Sequence, residues 1–481
     1  MKCTVLRRGF LRSVVSAPLA NLLAETTAPS RPMVPWMFMH SPLERWMADS
    51  KRILDAWHQG GVRGIAIGYM NFVEPGGTTI PSYQANPKIY QARGFTPPPA
   101  AARDPEKEKR LHAMLDDIAR RGWEILIFGS IRGGGGRPIQ QDPYGAASYA
   151  AGVEDMMSAY PQAQGVIIDG AGEHHYEVAF HHGGELFELR QWERDRYAAL
   201  GMDVARMERG IDHLRDRFHK LTPSLVRYHS PAGLLAGVAL FDLNEDSLYW
   251  LRMRQESSMG YFAAVRREVN QLSRKVKLGA IPRAPTFSVL TTQDYQRMHP
   301  YFDYVFPKHY FWHRGFDGMY GTIARWVQRI HEWNPSLTEA DCFAVVKAWF
   351  GIELPGIRSL ADMEMGFPDE FFEKVVYVET RRALEAIPDA NKVIAWVSTG
   401  RSPHAGDPMG ARDLYRILVT SQRAGLKRFL FHPDPDLGAA EWGVISGLCG
   451  QRWKEDPSGY WPSDTPKFDT FNGGRKPGDG K

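Results

Sequence analysis

Cysteine is scarce in this chain, at positions 3, 342 and 449 only. Cys3 precedes the apolar run near the N-terminus, so it is misplaced for lipid attachment. Cys342 and Cys449 are too few for a disulfide framework, and their state, paired or buried as small apolar residues, stays open. Long hydrophobic runs are missing as well: nothing beyond the N-terminus is apolar over the ~20 residues that a spanning helix needs. Charge of one sign is not in excess. Lys and Arg total 59 against 55 Asp and Glu, a net +4 without a basic block, which argues against nucleic acid as a partner. The stretch GYMNFVEPGG does not fit the glycine-rich phosphate turn of a doubly wound sheet, and RGGGG, from Arg132, lacks the spacing and lysine of a phosphate loop. No cofactor is therefore expected.

What is present begins with Arg7 and Arg8, followed by Gly9, Phe10 and Leu11. This is the twin-arginine export pattern, and a short apolar run from Val14 to Ala24 follows it. The pattern predicts a signal peptide over residues 1–30, a partnership with the twin-arginine export machinery, and a periplasmic or secreted mature protein with no membrane partner after processing. Residues 456–481, rich in Pro, Gly and Lys, read as a loose tail.

Between these ends, short β-branched or aromatic runs alternate with amphipathic helical stretches. Strands are predicted at 33–41, 63–70, 123–130, 165–169, 277–285, 303–312, 392–400 and 427–434. Leu111, Met114, Leu115 and Ile118 mark a helix that Gly122 stops. The segment 335–389 is ambiguous, because FAVVKAWF suits strand or helix. Eight strands with helices between them predict an α/β fold, a (β/α)8 TIM barrel enlarged by insertions, over residues 31–455.

In such a barrel the active site forms from loops at the C-terminal ends of the strands. His40 and Glu44 follow the first predicted strand, and Asn71 and Glu74 the second. Asp169, Glu173, His174, His175, Tyr176 and Glu177 follow the fourth, and Arg283 the fifth. The sixth supplies Lys308, His309, Tyr310, Trp312 and His313. Ser398, Arg401 and His404 belong to the seventh, and His432, Asp434 and Asp436 to the eighth. Asp169 and Glu173 are the candidate catalytic carboxylates, since glycosidic bond cleavage needs one carboxyl as proton donor and another as nucleophile or base. Gly170 and Gly172 let the backbone turn between them. Either could instead pair with Glu353, Asp362 or Glu364, and Asp169 could simply bond amides of its own loop.

The remaining candidates are substrate contacts. His40, His174, His175, Tyr176, Arg283, Lys308, His309 and His432 offer polar groups to sugar hydroxyls or an anionic substituent. Tyr310, Trp312, Trp349 and Trp396 offer stacking faces, with core packing as the plain alternative for each. The cluster Glu173, His174, His175, Glu177, His181 and His182 also suggests a metal, but adjacent histidines diverge and HExxH is absent, so no metal is assigned.

VIIDGAGEHHYE, together with VFPKHYFWH and the strand order, resembles glycoside hydrolase-type barrels of exported bacterial proteins. The strand end IIDG is similar to the fourth-strand motif of retaining α-glycosidase barrels, α-fucosidases included. That resemblance implies Asp169 as nucleophile. A second large glycosidase group places its acid/base glutamate after strand four, which implies Glu173. The expected activity is hydrolysis of a carbohydrate substrate. The alternatives are a metal-dependent hydrolase using residues 173–182 and a non-catalytic carbohydrate-binding barrel.

Overall fold

Parallel strands, each buried on both faces, form the centre of the molecule. The computed structural model describes residues 32–74, 76–129, 142–168, 186–311, 318–366, 368–398, 410–432, 437–452 and 457–462. The chain divides into two compact units, Met1–Pro32 and Met33–Lys481, and every element named below belongs to the second. The predicted export segment lies outside the described residues, as does the predicted tail from residue 463.

The strands in chain order are β1 (Val34–Met39), β2 (Gly64–Gly68), β3 (Asn71–Val73), β4 (Thr79–Pro81), β5 (Glu124–Phe128), β6 (Gly165–Ile168), β7 (Lys277–Ala280), β8 (Tyr304–Val305), β9 (Lys308–His309), β10 (Ile394–Ser398) and β11 (Arg428–His432). β3 and β4 make a small antiparallel hairpin after β2. The other nine form one sheet in the order β8-β7-β6-β5-β2-β1-β11-β10-β9.

The two ends of that sheet are one piece of chain. Pro307, which has no N–H, interrupts the ladder between β8 and β9. On one side Phe306 N donates to Ala280 O (2.8 Å) and Lys308 N to Pro282 O (3.1 Å). On the other, Trp396 N donates to Pro307 O (2.8 Å), and Val305 bridges to Val393. Residues 304–309 thus bond on both edges, β8 and β9 count as one interrupted strand, and the sheet closes into an eight-stranded α/β barrel. All eight predicted strands are present.

Side chains alternate between two cores, as the period of two requires. Met37, Ile65, Ile127, Val166, Leu278, Val397 and Phe429 point outward and join the helices in one large buried cluster. Trp36, Phe38, Leu126, Phe128, Ile167, Phe306, Trp396 and Leu430 point inward and fill the barrel. β2 offers only Ala66 to the interior, flanked by Gly64 and Gly68. A Cβ on Gly64 would lie 2.2 Å from the Trp36 ring, and one on Gly68 would lie 2.6 Å from Phe38. Glycine at both positions gives room to the large rings of β1.

At the N-terminal end of the barrel, Glu124, Lys277 and Tyr304 form a polar plug. Lys277 Nζ lies 2.8 Å from Glu124 Oε1, and the Tyr304 hydroxyl donates to the same carboxylate (2.7 and 2.9 Å). Burial works to lower the Lys277 ammonium pKa, but the bonds to Glu124 and Tyr304 outweigh it and leave it raised.

Helices surround the sheet. Pro105–Arg120 begins at Asp104, whose carboxylate accepts from Lys107 N (3.0 Å), and ends before Gly122 at φ +74°. The ambiguous segment is helical. FAVVKAWF lies in Glu339–Phe350, with Thr338 capping its N-terminus and Gly351 at φ +72° ending it. The caps and packing on the helix Met319–Trp333 override the strand-like composition.

Replacing Gly64 by Ala should lower stability by about 1–3 kcal/mol through overpacking against Trp36. Urea denaturation of the variant beside wild type measures this, and an unchanged midpoint would mean that Trp36 has room to move.

Candidate active site

Three rings close the barrel below its C-terminal mouth. Phe38 lies 5.4 Å from Phe128 and 5.2 Å from Trp396, and Phe128 lies 5.2 Å from Trp396, between ring centroids. Each ring comes from an inward position near the end of its strand. Trp396 is buried, and its indole Nε1–H has no hydrogen-bond partner among the described residues.

Above this floor lies a crescent of polar aromatic groups. His432, the last residue of β11, packs 4.6 Å from Phe38, and its Nδ1 is 3.2 Å from the Tyr310 hydroxyl. His40 stacks at 6.4 Å from His432, with an interplanar angle of 15°, and meets Tyr69 at 5.3 Å. Tyr69 in turn contacts Phe128 at 5.7 Å. Its backbone is left-handed, φ +50°, a conformation that a bulky side chain rarely adopts. Tyr69 N donates to Phe128 O, which ties this turn to β5 (3.2 Å). The ring therefore stands at the rim, 38% exposed.

The structure brings together His40, Tyr310, Trp396 and His432 of the predicted contacts. Lys308 and Arg283 are buried at the ends of neighbouring strands. The Arg283 backbone is fixed by Gln293, which accepts from its N–H (3.3 Å), and by the Tyr295 hydroxyl, which donates to its carbonyl (2.6 Å). Asp169, Glu173, His174, His175, Tyr176 and Trp312 lie outside the described residues, together with Glu177, His181, His182, His313, Arg401, His404, Asp434 and Asp436.

Two predicted contacts are held elsewhere. Trp349 sits on the helix 339–350 among Phe218 (5.3 Å), Phe241 (4.8 Å) and Trp326 (6.3 Å), in the helical layer. His309 faces outward from β9 onto the helix Val378–Ala386. The Thr380 hydroxyl donates to Val376 O (2.7 Å), so Thr380 Oγ1 accepts from His309 Nε2–H (2.9 Å). The further carboxylates are engaged as well. Lys347 binds Glu353, and Lys107 binds both Glu44 and Glu74. Asp362 accepts from the backbone N–H groups of Arg358 and Ser359, and Glu364 accepts from the Tyr320 hydroxyl. Glu353 also lines a cavity of about 500 Å³ with Glu370, Lys374, Glu379 and Arg382, none of which is a strand-end residue.

Phe38, Phe128 and Tyr69 were not singled out by motif. The first two are legible as inward positions once the strand period is fixed. The left-handed turn at Tyr69 has no signal in its residue type. Among the described residues no group of three or more His, Cys, Asp or Glu is placed to hold a metal.

No family model and no curated protein matches the chain. Solved structures similar to it include the PgaB (BpsB) glycoside hydrolase domain from Bordetella bronchiseptica, at 10% identity over 86% of this chain and 98% of that one, TM-score 0.40. The catalytic domain of a beta-amylase from Paenibacillus polymyxa matches at 10% identity over 87% and 98%, TM-score 0.41. A GH18 chitinase from Pseudoalteromonas aurantia matches at 10% identity over 86% and 98%, TM-score 0.34. Similarity at these values transfers no residue role and no activity.

Burial pushes the His309 imidazole down to about 4, against a small opposing effect of the Pro307 carbonyl. The unfolded chain, with an ordinary histidine near 6.5, then binds a proton that the folded protein refuses. Stability conferred by His309 is thus complete above pH ~6.5 and is lost as pH falls toward 4. Between pH 7 and pH 4.5 wild type should lose on the order of 2–3 kcal/mol more than His309→Asn. Urea titrations at the two pH values measure it, and equal losses in both proteins would remove His309 as the cause.

Proposed function

We propose that this chain hydrolyses a glycosidic bond of a carbohydrate bound across the C-terminal mouth of the barrel, with Asp169 and Glu173 as the two carboxylates. The observation that carries the reading is the aromatic floor with its polar crescent. A sugar ring presents C–H faces that pack on aromatic rings and hydroxyls that need hydrogen-bond partners. Tyr69, 38% exposed at the rim, offers the first, and His40, His432 and Tyr310 the second, with the buried rings of Phe38, Phe128 and Trp396 as the floor that supports them. Asp169 is the next residue in the chain after Ile168, the end of β6, and Ile167 before it belongs to the barrel interior. Its sequence position suits a group that acts at the centre of the mouth. The resemblance of IIDG to retaining glycosidase strand ends supports a nucleophilic role for Asp169, and Glu173 then serves as acid and base.

Arg283 and Lys308 are proposed contacts for hydroxyls or an anionic substituent. His174, His175, Tyr176 and Trp312 are proposed contacts from the loops after β6 and β9. The chain works outside the cytoplasm on this reading, exported through its twin-arginine segment.

Hydrolysis of a panel of aryl glycosides and polysaccharides tests the proposal, with wild type beside Asp169→Asn and Glu173→Gln, each with and without a chelator. Turnover should survive chelation and fall by about 10²–10⁴-fold in each variant. Loss to the chelator alone would move the chemistry to a metal held by the glutamate and histidine cluster. Carbohydrate binding without turnover would leave a binding barrel.

A further inference from the structure

Among the described residues, the non-glycine residues with positive φ are Tyr69, Asp242 and Thr292. Asp242 and Thr292 each end a helix, Leu234–Phe241 and Pro285–Thr291, where a left-handed residue is ordinary. Tyr69, at φ +50°, ends no helix and directly follows β2. Strain of this kind persists where the surroundings over-determine it, and it gathers at ligand sites. The backbone bonds of the turn do not require tyrosine. Tyr69 N donates to Phe128 O (3.2 Å) and Asn71 N to Tyr69 O (2.6 Å), and glycine would make both at less cost. What tyrosine adds is a ring at the rim.

That ring is braced. It meets Phe128 at 5.7 Å and His40 at 5.3 Å, both T-shaped, and a Cβ on Gly129 would lie 3.4 Å from its Cε1. It is nevertheless 38% exposed. His40 beside it is exposed too. His40 Nδ1 lies 2.6 Å from the Ser41 carbonyl oxygen, which only accepts, so Nδ1 carries the proton. Nε2 of the neutral ring is then an acceptor. Tyr69 and His40 together offer one pyranose ring an apolar face and a partner for a hydroxyl proton.

This pair stands away from the proposed chemistry. Gly68 is in register with Phe128, and Phe128 with Ile167. The chain therefore leaves β2 at Tyr69 and β6 at Asp169 on the same level, two strand spacings or roughly 10 Å apart. A sugar cut above β6 has its chain neighbour, not itself, beside Tyr69.

We infer that Tyr69 and His40 form a second sugar subsite, and that the substrate is a glycan chain of at least two units lying from β6 toward β2. The placement rests on the proposed role of Asp169. The test reads binding apart from turnover.

Calorimetric titration of the full chain carrying Asp169→Asn/Glu173→Gln tests it, with cello-, chito-, manno- and malto-oligosaccharides from monomer to tetramer. Affinity should rise by about tenfold or more from monomer to dimer in one series, the worth of one stacking contact. Tyr69→Gly and Tyr69→Asn, both suited to a left-handed backbone, should abolish that rise, and Tyr69→Phe should keep it. His40→Phe, which keeps a ring and removes the acceptor, should lose part of it. Melting temperatures identify any variant that has not folded. Affinity independent of chain length, a rise that survives loss of the ring, or no binding in any series would overturn the inference. A ring-dependent rise would support the subsite even if the wild type cleaved none of these sugars, a result that would remove only the hydrolytic reading.

Discussion

The backbone bonds on the two edges of residues 304–309 close the sheet, and the position of every rim residue follows from that closure. Open at this strand, β10 and β7 would be edge strands, and the inward rings of β1, β5 and β10 would have no common interior. Closed, the barrel brings Phe38, Phe128 and Trp396 into mutual contact although 358 residues separate the first from the last. Pro307 sits at the seam because a residue without an N–H can interrupt a ladder while its carbonyl still accepts. Small residues opposite large ones complete the fit: Gly64 beside Trp36, Gly68 beside Phe38, and Gly279 beside Phe306.

Much of this was legible in the sequence, because strands buried on both faces are written as unbroken apolar runs. GIAIG, EILIF and GVII need no tertiary information to be recognised. What local pattern could not supply was direction. PKHYFW shows Lys308, His309 and Tyr310 side by side, and only the strand register reveals that Tyr310 turns to the mouth while His309 turns to Thr380. Trp349 failed for a related reason: FAVVKAWF has the composition of a strand, and its helical state comes from Thr338, Gly351 and the neighbouring helix. Tyr69 depends on a backbone angle that its residue type does not announce.

The aromatic residues fall into two populations with different uses. One lies between helices, where Phe218, Trp326, Trp333 and Trp349 pack edge to face and hold the enlarged helical layer together. The other lies inside the strands and rises from Trp36 through Phe38 and Trp396 to His432. Composition merges the two, and only the second bears on the site. The helix pair Pro223–His229 and Leu234–Phe241 touches the first population through Val226, Leu240 and Phe241, while Tyr228, Leu234 and Leu235 face solvent.

The polar plug at the opposite end has a consequence for traffic. Glu124, Lys277 and Tyr304 seal one end of the barrel and the ring trio seals the other, with Trp36, Leu126 and Phe306 packed between. There is no bore. A long chain cannot thread through this molecule as through a porin. A chain bound at the mouth would have to lie across the top like a rope over a drumhead.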